Sequence, residues 1–229
     1  MRRLAAALAA LAMTNPSLAS VDEGIAAYNA GRHEAARQHF EQAAAAGSPA
    51  GKHLLASLYY QGHGVPKDLA RAVALFTEAA DAGFPPSMAN LALMYSLGDG
   101  VPKNQEKALA YALRAAESGD VQSQFNLAQS YRRGAGVPRD DSKAALWYRK
   151  AAESGHLGAQ NEYGLLFAQG QGVALDYVQA FAWIDMPAST GDIQAVKNRA
   201  QLLQILNPAD TKRAKELAAQ YASLYGRSR

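Results

Sequence analysis

The chain has 229 residues, 49% of them apolar and none of them cysteine, which excludes a disulfide framework, a thiolate metal site, a cysteine nucleophile and lipid attachment through a thiol. Its 23 basic and 20 acidic residues give a formal net charge of +3 at pH 7, and two of the arginines lie in the first 19 residues, which contain no acidic residue. The remaining chain therefore carries 21 basic against 20 acidic residues, a balance that gives no support to nucleic-acid binding.

Residues 1–19 have the layout of a secretory signal peptide. Two arginines form a positive n-region, residues 4–13 form an unbroken apolar h-region, and residues 17–19 offer small side chains at a cleavage site. The apolar run is too short for a membrane-spanning helix. We predict cleavage after Ala19, a periplasmic or secreted location, and no stable membrane insertion after cleavage; a retained N-terminal anchor is the alternative.

A period of 36 residues organises the chain that follows. Five columns stay in register over four blocks: glycine at 62, 98, 134 and 170, glycine at 64, 100, 136 and 172, valine at 65, 101, 137 and 173, alanine at 72, 108, 144 and 180, and glycine at 83, 119, 155 and 191. A fixed period of this length is typical of a solenoid, in which each unit buries its apolar face against its neighbours.

Each block predicts a helical hairpin. In the third block, small and apolar residues recur on one helix face up to Tyr131, and that helix ends at Gly134, which can adopt a positive φ. A second glycine at 136 permits a backbone conformation that a Cβ would penalise, and Val137 should return into the core. Asp140 is a good N-cap for the second helix, which ends near Gly155.

This pattern resembles a known repeat. The residues Leu127-Ala128-x-x-Tyr131-x-x-Gly134-x-Gly136-Val137-x-x-Asp140-x-x-x-Ala144-x-x-Trp147-Tyr148-x-x-Ala151-Ala152-x-x-Gly155 are similar to the Sel-one-like repeat (SLR), a branch of the tetratricopeptide superfamily. The resemblance implies an all-α fold, a right-handed α-solenoid of antiparallel helix hairpins. It places four repeats at about 49–84, 85–120, 121–156 and 157–191, and it implies a protein that holds other proteins.

The two ends depart from the pattern. Residues 20–48 lack the five-residue connector, so we predict a shorter, tetratricopeptide-like hairpin there. Residues 192–229 predict capping helices, one over about 192–206 and one over 209–225. Pro187 occupies an alanine column, and we expect it to kink or end its helix near Met186.

No constellation predicts catalysis, a cofactor or a metal site. The stretch from Gly47 to Lys52 is one residue short of a phosphate-binding loop and lacks its serine or threonine. His33 and His39 are six residues apart, so they do not share a helix face. Neither Ser-x-x-Lys nor Gly-x-Ser-x-Gly occurs. Trp147 and Trp183 share a column with apolar residues, which predicts packing.

The remaining candidates are surface residues. In tetratricopeptide-like geometry the first helix of each hairpin lines the concave side, and the columns not needed for packing offer amides, an aromatic ring and a guanidinium group, which suit recognition of a peptide or helix. The predicted partner-binding residues on this face are His53, Tyr60, Asn90, Phe125, Asn126, Gln129, Arg132, Asn161 and Glu162.

We therefore expect a non-catalytic protein–protein interaction scaffold. For exported bacterial members, the resemblance implies envelope assembly or regulation of a signalling partner. The alternatives are a protein that binds or hydrolyses cell-wall fragments or β-lactams, and a secreted factor that engages a host protein.

Overall fold

The computed structural model describes the backbone of residues 16–226 and the side chains from Ser20 onward, so the predicted signal peptide lies outside the described residues except for the backbone of 16–19. Within this range the fold is all-α and contains no strand, as predicted. The helices are α1 Pro16–Asn29, α2 His33–Ala45, α3 Pro49–Gln61, α4 Leu69–Asp81, α5 Pro85–Leu97, α6 Gln105–Glu117, α7 Val121–Arg133, α8 Asp141–Glu153, α9 Leu157–Gln169, α10 Tyr177–Ser189, α11 Ile193–Ile205 and α12 Pro208–Tyr225.

Consecutive helices pack in pairs, α1 with α2, α3 with α4, and so on to α9 with α10. Helices α2 to α11 all have 13 residues, so the repeat in the sequence is also a repeat in structure. This all-α arrangement of antiparallel helix hairpins confirms the predicted fold class. The chain divides into two compact units, unit 1 up to Ser118 and unit 2 from Gly119.

The connector between the two helices of a repeat uses its two glycines differently. Gly98 ends α5 in the left-handed region, with φ 87°, and its N–H donates to the Met94 carbonyl. Gly100 also has a positive φ, and a Cβ there would lie 2.7 Å from Leu69 Cβ and 3.0 Å from the Leu69 carbonyl oxygen. The connector therefore passes directly against the first turn of α4, which no side chain at 100 would allow.

The predicted N-cap Asp140 is confirmed, and Asn104 and Asp68 cap their helices at the same position of the repeat. Asn104 is extended, and its side-chain oxygen accepts a hydrogen bond of 2.9 Å from the Lys107 N–H. Asp68 and Asp140 accept from the third residue of their own helices in the same way. These side chains satisfy backbone donors that have no partner within the helix.

Small residues let the helices approach closely. Gly164 of α9 faces α10, where a Cβ would lie 2.6 Å from Ile184 Cγ1. Trp147 and Trp183 are buried in unit 2, as is Val137 from the connector, and all three placements confirm the sequence predictions.

Pro187 does not end its helix near Met186, which was one of its two expected effects. Helix α10 continues to Ser189, and Pro187 lies buried in its last turn. The lost hydrogen bond is a single one near the helix end, and the Pro187 carbonyl accepts from Thr190 Oγ1 at 2.8 Å and from the Asp192 N–H at 3.1 Å.

Both C-terminal helices pack against α10. The α12 rings of Tyr221 and Tyr225 lie beside Trp183, with centroid distances of 4.5 and 5.3 Å, and Tyr221 Oη donates to Gln179 Oε1 at 2.7 Å. None of the helices in the described part of the chain combines the length and apolar character needed to cross a membrane.

Candidate functional site

A pocket in unit 1, which we call the first pocket, has a volume of about 140 Å³. Its walls come from α3 and α5, each of which is the first helix of its hairpin, and from α4, which is the second helix of the hairpin that α3 begins. The lining residues are Ser57, Tyr60, Gln61, Phe76, Asn90, Leu93 and Met94.

The first pocket has an apolar floor and a polar rim. Phe76 and Met94 are 2% and 1% exposed, whereas Leu93 is 51% exposed at the edge. Tyr60 Oη donates to Asp99 Oδ2 at 3.0 Å, and this hydrogen bond, followed by burial, raises the pKa of Tyr60 above its usual value. The arrangement suits an apolar side chain whose backbone reaches the surrounding amides and hydroxyls.

A second pocket lies in unit 2 and has a volume of about 240 Å³. Helices α7, α8 and α9 and the connector between α7 and α8 form its walls. We call it the second pocket; it is lined by Gln129, Arg132, Arg133, Arg139, Tyr148 and Glu162.

Two ion pairs organise the second pocket. Arg132 pairs with Glu162 across α7 and α9. The Arg139 guanidinium binds both carboxylate oxygens of Asp141, at 3.0 and 2.8 Å, and this hydrogen bonding holds the pKa of Asp141 below its usual value. Bidentate pairing of this kind fixes the orientation of the guanidinium plane.

Tyr148 lies at the base of the second pocket and is 1% exposed. Its burial, followed by the nearby Glu162 charge, raises its pKa, while Arg132 and Arg133 act in the opposite direction. The hydroxyl therefore keeps its proton at neutral pH and can act as a hydrogen-bond donor.

The two pockets occupy equivalent positions in the repeat. Each residue that lines the second pocket has a counterpart that lies two periods earlier in the chain. Five of the six counterparts line the first pocket. The corresponding residues are Ser57 and Gln129, Tyr60 and Arg132, Gln61 and Arg133, Phe76 and Tyr148, and Asn90 and Glu162. The sixth, Arg139, corresponds to Lys67, whose Nζ lies 5.7 Å from the centroid of the Tyr60 ring. The same frame thus forms a pocket with uncharged walls in unit 1 and a pocket with charged walls in unit 2.

Five of the nine predicted binding residues line these pockets: Tyr60 and Asn90 in the first, and Gln129, Arg132 and Glu162 in the second. Asn126 is exposed, and its side-chain oxygen accepts from Gln122 Nε2 at 3.0 Å.

The other three predicted residues are engaged within their own units. His53 Nδ1 hydrogen-bonds with Ser87 Oγ at 2.9 Å, and burial lowers the pKa of His53 to about 4. Phe125 stacks on His156 with a centroid distance of 4.4 Å. Asn161 is 8% exposed, and its side-chain oxygen accepts from Asn198 Nδ2 at 2.9 Å, so its amide lies in the interior.

The predicted set did not include five lining residues on first helices, which are Ser57, Gln61, Leu93, Met94 and Arg133. It also missed the walls that belong to other elements. Phe76 and Tyr148 lie on second helices, and Arg139 lies in a connector. Phe76 and Tyr148 share one column of the repeat, and this shared column is the sequence feature that could have identified them. A residue that lines one pocket predicts that its counterpart lines the other.

Comparison with known proteins agrees with this architecture. The family model described as "Sel1 repeat" matches residues 26–48, 49–84, 85–120, 121–156 and 158–186. The chain belongs to the Sel1 repeat family. Sel1-repeat proteins are generally non-catalytic scaffolds for protein interaction.

Several solved structures resemble this Sel1-repeat chain. A Sel1 repeat protein from Oxalobacter formigenes is 33% identical, with a TM-score of 0.71 over 74% of this chain and 50% of that one. A protective antigen of uropathogenic Escherichia coli with an SLR fold is 25% identical, with a TM-score of 0.45 over 91% of this chain and 61% of that one. A Sel1 repeat structure from Klebsiella pneumoniae is 22% identical, with a TM-score of 0.52 over 84% of this chain and 95% of that one.

The chain spans half the length of the first of these proteins and 61% of the second. No curated protein matches it. In the part of the chain that the structure describes, no group of three or more histidine, aspartate or glutamate side chains could hold a metal ion.

Proposed function

We propose that this protein is an exported, non-catalytic adaptor of the bacterial envelope that binds a protein partner through its repeat pockets and thereby regulates a signalling or assembly partner. The observation that carries the proposal is the recurrence of a pocket at equivalent positions of two repeat pairs, with different lining residues in each. Repeats that share one backbone arrangement but differ in the side chains of their pockets can recognise different parts of a partner.

The size of the pockets supports a protein ligand. Sites for small molecules usually have volumes of about 300–1,000 Å³, whereas these pockets measure about 140 and 240 Å³. Each pocket therefore fits one side chain of a larger partner. Buried apolar anchors and arginines are also the residues that most often dominate the energy of protein interfaces.

In-cell photo-crosslinking tests this function. A photoreactive residue at Leu93 or at Gln129, which share one repeat column, should capture the same partner in living cells. Leu146 is the matched control, because it is exposed on the second helix α8 and lines neither pocket. Capture at Leu146 alone would refute the pocket face as the binding surface, as would turnover of peptidoglycan or a β-lactam by the purified protein without any captured partner.

Export is tested separately by mass spectrometry of protein recovered from the periplasm or the medium. We expect an N-terminus at Ser20, which follows the predicted cleavage site. Recovery there of a chain that retains residues 1–19 would contradict cleavage and favour the anchor.

A further inference from the structure

The second pocket holds more positive charge than its own acidic neighbours neutralise. Arg132 pairs with Glu162, and Arg139 pairs with Asp141. Arg133 lines the same pocket and forms no ion pair within the described residues. One cationic group is therefore left in the pocket without an acidic partner.

We propose that the second pocket binds one carboxylate, from an aspartate or glutamate side chain in an acidic segment of the protein partner. The inference rests on the proposed function and names the chemistry of the contact. Arg133 supplies the uncompensated charge, and Tyr148 and Gln129 supply neutral hydrogen-bond donors.

The chemistry of the donors fits a planar, singly charged group. A guanidinium presents paired N–H donors that match the two oxygens of a carboxylate. Tyr148 lines the second pocket and is 1% exposed, and its hydroxyl group can donate to a ligand oxygen. Glu162 stands in the wall of the same pocket, and its negative charge disfavours a doubly charged phosphate.

The first pocket provides an internal comparison. At the position of Arg133 it has Gln61, and at the position of Arg132 it has Tyr60. The frame is the same, but no arginine lines it. We therefore assign the carboxylate preference to unit 2 alone.

Selection from a random dodecapeptide library on phage, with the purified protein as bait, tests the inference. Peptides retained by the protein should be enriched in aspartate and glutamate over the input library. A synthetic copy of the best peptide, made with an amidated C-terminus so that only side chains carry carboxylates, should bind at least about tenfold more weakly when its key glutamate or aspartate is replaced by glutamine or asparagine.

Two variants locate the contact. Arg133→Gln should lower affinity for the acidic peptide about tenfold and remove the enrichment, because it removes the unpaired cation. Arg149→Gln is the control: Arg149 is on α8, pairs with Glu153 and lines neither pocket, so this variant should bind like the unmodified protein.

The possible results separate this inference from the proposed function. Retained peptides without acidic enrichment, dependence on a free C-terminus, or unchanged binding by Arg133→Gln would overturn the carboxylate site and leave the adaptor function standing. If no peptide is retained and neither Leu93 nor Gln129 captures a partner in cells, both proposals are refuted.

Discussion

At the scale of single residues, each connector depends on two glycines with a positive φ, such as Gly98 and Gly100 between α5 and α6. The glycine columns predicted a helix end followed by a second unusual backbone conformation. Gly98 ends its helix, and Gly100 has the second positive φ. The close approach of Gly100 to Leu69 could not be predicted, because it depends on how the connector crosses the preceding second helix. Likewise, the sequence placed Asn161 on the binding face, whereas its pairing with Asn198 takes it into the interior.

Gly100→Ala should destabilise unit 1 more than Gly83→Ala. Both positions have a positive φ, so each alanine costs about 1 kcal/mol in backbone strain. Only at 100 does the new Cβ meet backbone atoms, which adds roughly 1–3 kcal/mol. Urea denaturation of the two variants measures the difference, and equal losses would show that the contact with Leu69 is easily relieved.

His53 should make stability depend on pH. Burial lowers the pKa of His53 in the folded protein from 6.5 to about 4, so the unfolded chain binds the proton more tightly. The free energy of unfolding should be unaffected by His53 above pH 6.5 and should fall by at most roughly 3 kcal/mol as the pH drops towards 4. His156 shifts in the same direction, so the comparison must be with His53→Gln, which should show a shallower decline. An identical pH profile for the variant would contradict this assignment.

At the scale of helices, the sequence predicted positions well, including those beyond the repeat. The expected helices over 192–206 and 209–225 are found at Ile193–Ile205 and Pro208–Tyr225. Of the two expected effects of Pro187, a kink or an end of α10 near Met186, the end was wrong, because a proline in the last turn removes only one hydrogen bond while its ring still fills the core. The packing of α12 on α10 has no signature in the repeat, since α12 lies outside it.

Tyr221 contacts α10 through both its ring and its hydroxyl group, and its truncation should weaken unit 2. Tyr221→Ala removes the ring beside Trp183 and the hydrogen bond to Gln179, and we expect a loss of about 2–4 kcal/mol. Tyr221→Phe keeps the ring and should cost only about 1 kcal/mol. Equilibrium unfolding followed by tryptophan fluorescence distinguishes the two, and a similar loss in both variants would assign the effect to the hydroxyl group.

At the scale of the whole molecule, the period and its glycine pattern were sufficient for the fold class, since hairpins with regular spacing have few ways to bury their apolar faces. The pockets were only half predicted. The sequence identified residues on first helices such as Tyr60 and Arg132, but Phe76, Tyr148 and the charged connector belong to other elements of the repeat.

Stability in a repeat protein is largely local, because each repeat contacts its neighbours. Hydrogen exchange monitored by mass spectrometry should therefore show faster exchange in unit 1 for Gly100→Ala and in unit 2 for Tyr221→Ala. A uniform acceleration along residues 16–226 in either variant would instead indicate a single cooperative unit.

Because the two pockets are formed by equivalent positions of the repeat, the ligand preference of one pocket should be transferable to the other by substitution. Because Gln61 and Arg133 occupy the same place in their repeats, as do Tyr60 and Arg132, exchanging a few wall residues should move an acid-binding character from one hairpin pair to another while the glycines, caps and alanines that hold the helices stay untouched. New partners are thus accessible to this architecture by changing side chains alone.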